Sequence, residues 1–390
     1  MSRDTFRINN FDLIRLYAAA QVAFGHVLAF LDLRTQRLED LPYGLSVLAW
    51  PLRLVGIADL GACDDALSRL PGVPIFFFVS GFLISRSFEA NPQLREYGRN
   101  RLLRIYPALW VCFAVSLLLV AVSGYFGTVQ VPLGTLAAWV IGQVTVVQFF
   151  NPEFMRGYGV GALNGSLWTI AVEIQFYVVV PLLYAVWARF KGLGSVRGLV
   201  TLIVALCAVN VAYNLWQPDD GEVMLRKFAG VTFLPWVYMF LVGVLVQRNF
   251  ERVHRMLAGR FWLGAAIFIV CSVVSVDLMG FPMGNELDPL QFAGVCALVF
   301  ASAYSRPRLA HTLLRKHDFS YGLYIYHMPV VNFLLQLGGA GKLWAAALAL
   351  LASAILACLS WWGVERRALS RKRHPLNPLA KPTPQALQAS

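Results

Sequence analysis

The sequence predicts an all-α protein, a polytopic bundle of membrane helices, and three observations carry that prediction. Hydrophobic residues make up 58% of the 390-residue chain and charged residues only 14%, against about 45–50% and about 25% in soluble domains. The mean hydropathy is +0.61, so too few polar residues remain for a water-soluble coat. The apolar residues are also gathered in runs of roughly 20, the length a helix needs to cross a bilayer.

The runs fall near 11–33, 71–88, 105–124, 131–150, 166–188, 198–216, 228–247, 261–280, 288–305, 319–338 and 343–362. The first carries Asp12 and Arg15 and has no small-residue cleavage site after it, so it is a retained span and not a signal peptide. Arg3 and Arg7 before it, and Arg86, Arg95, Arg99, Arg101 and Arg104 after the second run, mark cytoplasmic loops under the positive-inside bias. Arg248, Arg252, Arg255 and Arg260 mark another. Five runs separate those last two loops, yet an even number must cross between them. The run at 131–150 is the weakest, broken by Gly134, Gly142, Gln143 and Gln148, and is expected to be re-entrant or non-crossing. Arg189, Lys191 and Arg197 then fall inside, Asp219, Asp220 and Glu222 outside, and Arg306 to Lys316 and Arg366 to Arg373 inside. The expectation is therefore about ten crossings plus one helix that does not cross, in the cytoplasmic (inner) membrane, with both termini cytoplasmic.

Residues 1–370 form the membrane domain in this reading. Residues 371–390 form a disordered cytoplasmic tail, since His374 to Ser390 holds four prolines and no apolar period. The segment from about Arg34 to Leu70, with Pro42 and Pro51, is expected outside, partly covering an outward-facing site. No soluble catalytic domain and no clear internal repeat are read from the chain.

Lys and Arg number 33 against 21 Asp and Glu, a formal charge of +12. Those cations lie in short clusters between apolar runs, the pattern of membrane loops, which argues against a nucleic-acid partner. Of the six cysteines, Cys112, Cys207, Cys271, Cys296 and Cys358 sit inside apolar runs and Cys63 stands apart. Neither a disulfide framework nor a metal site is implied, and no permanently bound cofactor is expected.

Ionisable groups inside spans are costly and point to function. Arg15 and His26 are eleven residues apart, which returns to nearly the same helix face about 16 Å along the axis. Asp12, one turn before Arg15, is placed to pair with it. A cation at one end of a stripe and an imidazole deep along it suit a long ligand with an anionic head, and a neutral imidazole can accept a proton near pH 7. A core histidine bonded to a carbonyl, with Arg15 snorkelling to the interface, would share that pattern. In the segment Ser166 to Tyr177, Glu173 lies in a strongly apolar helix with Thr169 and Tyr177 a turn away, and is the expected partner of His26. It would otherwise tie two helices together. Arg101 and Arg104, one turn apart, can turn both guanidinium groups to one phosphate, or act as an orientation signal at headgroups. Late in the chain, Ser320, Tyr324 and His327 share a face, where aromatic residues also form interfacial belts.

In this order, these segments resemble the acyltransferase 3 family of integral membrane acyltransferases. Phe11-Asp12-Leu13-Ile14-Arg15-Leu16 followed by Gly25-His26 is similar to the family's first helix, and Gly72 to Phe82, with Ser80 in it, to its second. Arg101-Leu102-Leu103-Arg104-Ile105-Tyr106-Pro107 resembles its cytoplasmic Arg pair. Ser166-Leu167-Trp168 through Glu173 and Tyr177 resembles its Trp and Glu segment, and Ser320-Tyr321 through Tyr324 and His327 its late signature. The similarity runs from about Ile8 to Glu365, and Asn100 stands where many members have a further basic residue.

The resemblance implies O-acyl transfer, most often of acetyl, from a cytoplasmic acyl-CoA co-substrate to a hydroxyl of a cell-surface or lipid-linked saccharide or another small acceptor. It makes His26 the essential histidine, Arg15 its partner, and Arg101 and Arg104 the donor's phosphate contacts. With Glu173 orienting the imidazole, His26 would act as general base or as an acyl carrier. A saccharide or lipid transporter or flippase, and a scaffold for polysaccharide synthesis, are the rival readings.

Overall fold

The computed structural model describes residue 6, residues 8–315 and residues 317–372. Most of the tail expected at 371–390, from 373 onward, lies outside the described residues. Every apolar run read from the sequence holds a helix: α1 (Phe11–Phe30), then, after the additional α2 (Leu60–Ser68), α3 (Gly72–Ala90), α4 (Leu94–Val122) and α5 (Leu133–Val144). They continue as α6 (Trp168–Arg189), α7 (Val196–Leu215), α8 (Val237–Arg248), α9 (Phe261–Ser272), α10 (Pro289–Tyr304), α11 (Ser320–Gln336) and α12 (Leu343–Ser360). Among the described residues, 7 helical stretches are long and apolar enough to cross a membrane. The protein is an all-α, multi-pass membrane bundle.

Side-chain caps start several helices where the chain enters them. Asp59 accepts from the Ala62 amide at 2.7 Å ahead of α2, Ser195 from Gly198 at 3.1 Å ahead of α7, and Asp288 from Leu290 at 2.8 Å ahead of α10. Each satisfies a first-turn N–H that has no partner inside its helix. α5 is 12 residues long, about 18 Å against a hydrocarbon core of about 30 Å. The chain folds back after it, with Gln143 Nε2 donating to the carbonyls of Gln148 and Phe150 at 3.0 and 3.2 Å. α8 has the same length but is buried at the centre.

There α3 and α8 cross at backbone distance. A Cβ at Gly81 would fall 1.9 Å from the Phe240 carbonyl oxygen, and one at Gly243 would fall 2.1 Å from that of Phe78. Lipid offers no hydrophobic drive for helix association, so close approach of backbones through small residues takes its place. Asn10 ties the entry of α1 to the end of α10, its side-chain amide donating to the carbonyls of Ser302, Ser305 and Arg306 at 3.2, 3.2 and 3.1 Å. α11 packs between α1 and α12 through Val27, Leu28, Val330, Val331, Ala345 and Ala349. Leu118, Val204, Ile269 and Leu351 point outward and exposed, as a surface solvated by hydrocarbon requires.

Candidate functional site

Three spaces follow one another through the middle of the bundle. The first, about 250 Å³, is lined by Arg15, Ser80, Arg101, Arg104, Glu173, Tyr177, Asp318 and Lys372. The second is a constriction of about 30 Å³ that shares Arg15, Ser80 and Glu173 with the first and adds Phe76, Thr169, Tyr321 and Tyr324. It shares Val73 and Tyr324 with a third space of about 210 Å³, lined also by Gln21, Gly25, His26, Asp64, Ser68, Trp168 and Asn285. A cationic chamber and a chamber holding His26 thus meet across a narrow waist.

In the cationic chamber the organising residue is Asp318, one the sequence reading did not single out. Its Oδ2 accepts from Arg15 Nη1 at 2.9 Å and from Arg104 Nη2 at 2.5 Å, and its Oδ1 accepts from the Ser320 amide and hydroxyl at 3.2 and 2.5 Å. Burial alone would raise its carboxyl pKa, but the Arg104 and Arg15 guanidinium groups beside it and the Ser320 hydroxyl hold it well below the usual carboxylate range. Arg15 therefore pairs with Asp318 and not with Asp12, which is exposed and lines none of the three spaces. The helical spacing of Asp12 and Arg15 allows a pair. The chain instead turns Arg15 inward, where a better-buried carboxylate waits.

Arg101 and Arg104 do face one chamber, as their spacing predicts. Arg101 Nη2 donates to Ser87 Oγ at 3.0 Å, and its guanidinium lies 5.7 Å from the ring centres of both Tyr97 and Tyr177. Its Nε is buried without a partner. Arg104 lies 5.7 Å from the ring of Tyr321, whose hydroxyl donates to the Ile105 carbonyl at 3.0 Å.

Glu173 stands at the waist. Its Oε1 accepts from Tyr177 at 2.7 Å and from Ser80 at 3.4 Å. The expected contact with His26 is absent from its partners, because the rotation of α6 turns Glu173 toward α3 and leaves the imidazole to α11. His26 Nδ1 lies 2.9 Å from His327 Nε2. His327, fully buried, approaches the Leu323 carbonyl with Nδ1 at 3.3 Å. A carbonyl can only accept, which assigns the His327 proton to Nδ1 and makes its Nε2 the acceptor. His26 then donates from Nδ1, and its Nε2 carries a lone pair.

The face of α11 read from the sequence is real but does several things. Ser320 braces Asp318 in the cationic chamber, Tyr324 borders the waist, and His327 meets His26 about 10 Å further along the axis. Tyr324 donates to the Ser166 carbonyl at 3.0 Å and lies 2.6 Å from Thr169 Oγ1, which fixes its ring. Trp168 lines the His26 chamber. So does part of the 34–70 segment, through Asp64 and Ser68. Arg34 grips Asp64 and, at 2.6 Å, Asp65. Besides Asp318, the sequence does not by itself single out Asp64 or Lys372, the latter lying within the stretch 371–390. A lone carboxylate just before an apolar run, in His317-Asp318-Phe319-Ser320, is the signal that marks Asp318.

Residues 8–363 match the family model described as an acyltransferase domain. The chain belongs to the acyltransferase 3 family. Every motif above lies within or beside that match, and the protein is an integral membrane O-acyltransferase. Among its relatives, this acyltransferase is similar to Nodulation protein 10 of Rhizobium leguminosarum bv. viciae, 33% identical over 93% of each chain. It is also similar to the O-acetyl transferase of Shigella phage Sf6, 24% identical over 95% of this chain and 98% of that one. Peptidoglycan O-acetyltransferase OatA of Listeria monocytogenes is 23% identical over 75% of this acyltransferase and 50% of its own length. No solved structure matches the chain.

Proposed function

We propose that this acyltransferase carries an acetyl group from cytoplasmic acetyl-CoA to a hydroxyl of a cell-surface or lipid-linked saccharide. In this reading it lies in the cytoplasmic membrane with both termini inside. The observation that carries it is the arrangement of the three spaces, a cationic chamber suited to a nucleotide's phosphates and joined past Glu173 and Tyr324 to a histidine with a free Nε2. Loop charge supports placing the chamber with Arg101, Arg104 and Lys372 toward the cytoplasm. The relatives named as O-acetyltransferases support the acyl group, and the one named for peptidoglycan supports a saccharide acceptor.

His26 is the general base in this mechanism. Its Nε2 takes the proton of the acceptor hydroxyl as that oxygen bonds to the thioester carbonyl carbon. The carbon–sulfur bond then breaks, and the departing thiolate takes the proton back from the imidazolium. His327 accepts from His26 Nδ1 throughout, so the base presents one tautomer and the positive charge that forms has a polar neighbour. The side chains of Tyr324 and Thr169 and the Ser80–Glu173–Tyr177 group shape the waist through which the thioester end would reach that histidine.

The test is release of free coenzyme A by the purified protein in vesicles given acetyl-CoA and a lipid-linked saccharide extract. His26→Ala should lower transfer by about 10²- to 10⁴-fold with normal membrane insertion. Retained turnover would remove His26 from the mechanism. Movement of saccharide with no thioester consumed would replace transfer by transport.

A further inference from the structure

The charges of the cationic chamber do not cancel. Arg15, Arg101, Arg104 and Lys372 line it, against two carboxylates. Asp318 takes both Arg15 and Arg104, and Glu173 accepts from two neutral hydroxyls. Arg101 is left donating to the neutral Ser87, with a buried Nε that has no partner. Among the described residues no hydrogen bond or ion pair joins the Lys372 side chain. Among the described residues no carboxylate is bonded to Arg101 or Lys372, and four cations against two carboxylates leave the chamber net positive, a field that favours an anion.

Lys372 follows the last helical turn, Arg366–Leu369, and its backbone amide donates to the Leu369 carbonyl at 3.1 Å, which holds the residue under the chamber. Burial, then the neighbouring guanidinium groups of Arg104, Arg101 and Arg15, lower its pKa to about 7. A phosphate placed beside it would reverse that shift.

We infer that Lys372 and Arg101, not Arg101 and Arg104, are the pair that binds a phosphate of the acyl donor. This rests on the reading of the donor as a coenzyme A thioester. Arg104 is committed to Asp318 and acts through it, holding the chamber's wall in place. The ligand chemistry is a phosphate of the donor, either its 3′-phosphate or its diphosphate; an anionic lipid headgroup at the same edge is the competing source that the test separates.

The experiment measures binding of acetyl-CoA and of acetyl-dephospho-CoA, which lacks the 3′-phosphate, by the full chain in phosphatidylcholine nanodiscs. Lys372→Gln should weaken acetyl-CoA by about tenfold or more, the scale of one charge-assisted contact, and Lys372→Arg should restore most of it. Loss of the Lys372→Gln effect with acetyl-dephospho-CoA assigns the 3′-phosphate. An equal effect on both ligands assigns the diphosphate. Both outcomes support the pair. Wild-type affinity of Lys372→Gln for both ligands overturns it, as does an effect seen only in phosphatidylglycerol discs, which would make the phosphate a lipid's. A wild-type protein that binds neither ligand overturns the donor assignment itself.

Discussion

His327 Nε2 stands 2.9 Å from His26 Nδ1 across 301 residues of sequence, and the Leu323 carbonyl beyond it decides which ring donates. The pair leaves His26 Nε2 as the one imidazole nitrogen able to receive a proton from an acceptor. Without His327, His26 loses the partner that selects this tautomer, and the useful form becomes one of two. His327→Ala should lower kcat by about tenfold to a hundredfold while leaving the donor KM unchanged. His327→Gln, whose side-chain oxygen can accept from His26 Nδ1, should recover part of the loss. Equal rates for the Ala and Gln variants would show that packing, not the hydrogen bond, is what His327 supplies.

Asp318 predicts a different signature. It bonds two guanidinium groups at 2.9 and 2.5 Å, so Asp318→Asn takes from both the one carboxylate that pairs with them directly. Removing one member of a buried ionic group costs about 3–5 kcal/mol, and thermal unfolding in detergent should register a marked fall in Tm. The pH dependence follows from the depressed carboxyl pKa. A carboxylate held below its unfolded value contributes its full stability above that unfolded pKa, and loses it only as the pH falls through the folded one. Stability from this cluster should therefore be flat from pH 8 down to about 5, and a loss centred near neutrality would assign the effect to another group.

The bundle was legible because its cause is local. Apolar run length decides whether a segment crosses, and each run holds a helix, with the weakest, at 131–150, yielding the 12-residue α5. Site residues on one helix were legible for the same reason, since Arg101 and Arg104, or Ser320 and His327, share a face by spacing alone. Pairings between helices were not. Whether His26 meets Glu173 or His327, and whether Arg15 meets Asp12 or Asp318, depends on how far each helix is rotated about its axis. That rotation is set by contacts such as the Gly81 and Gly243 crossing, whose partners lie far away in the chain.

Lys372 gives a second pH dependence of the opposite sense. Its pKa is lowered to about 7, so in the empty chamber the ammonium is lost as the pH rises past neutrality. The groups facing it are Arg15, Arg101, Arg104, Asp318, Glu173 and Tyr177. A bound phosphate favours the charged form, so binding takes up a proton above about pH 7 and donor affinity should fall as the pH rises from there. The donor's diphosphate is fully ionised in that range and its 3′-phosphate, with a second pKa of about 6, mostly so. Titration calorimetry in buffers of different ionisation enthalpy measures the proton directly. Uptake that persists in Lys372→Gln would point to another group.

In the proposed mechanism Gly25 separates the acceptor side from the donor side. A Cβ there would lie 2.8 Å from Asp64 Oδ1, a carboxylate oxygen buried without a partner, while Asp64 is also held by Arg34. Gly25→Ala must push Asp64 and the Arg34 contact outward, next to His26 and inside the chamber that would receive the acceptor. The cationic chamber contains neither residue. Acetyl-CoA affinity should therefore stay at the wild-type value while transfer to saccharide falls several-fold, the helix itself gaining slightly because Ala is the better helix former. A matched loss of donor affinity would mean that the two chambers are mechanically coupled through α1, with Arg15 moving when Gly25 is filled.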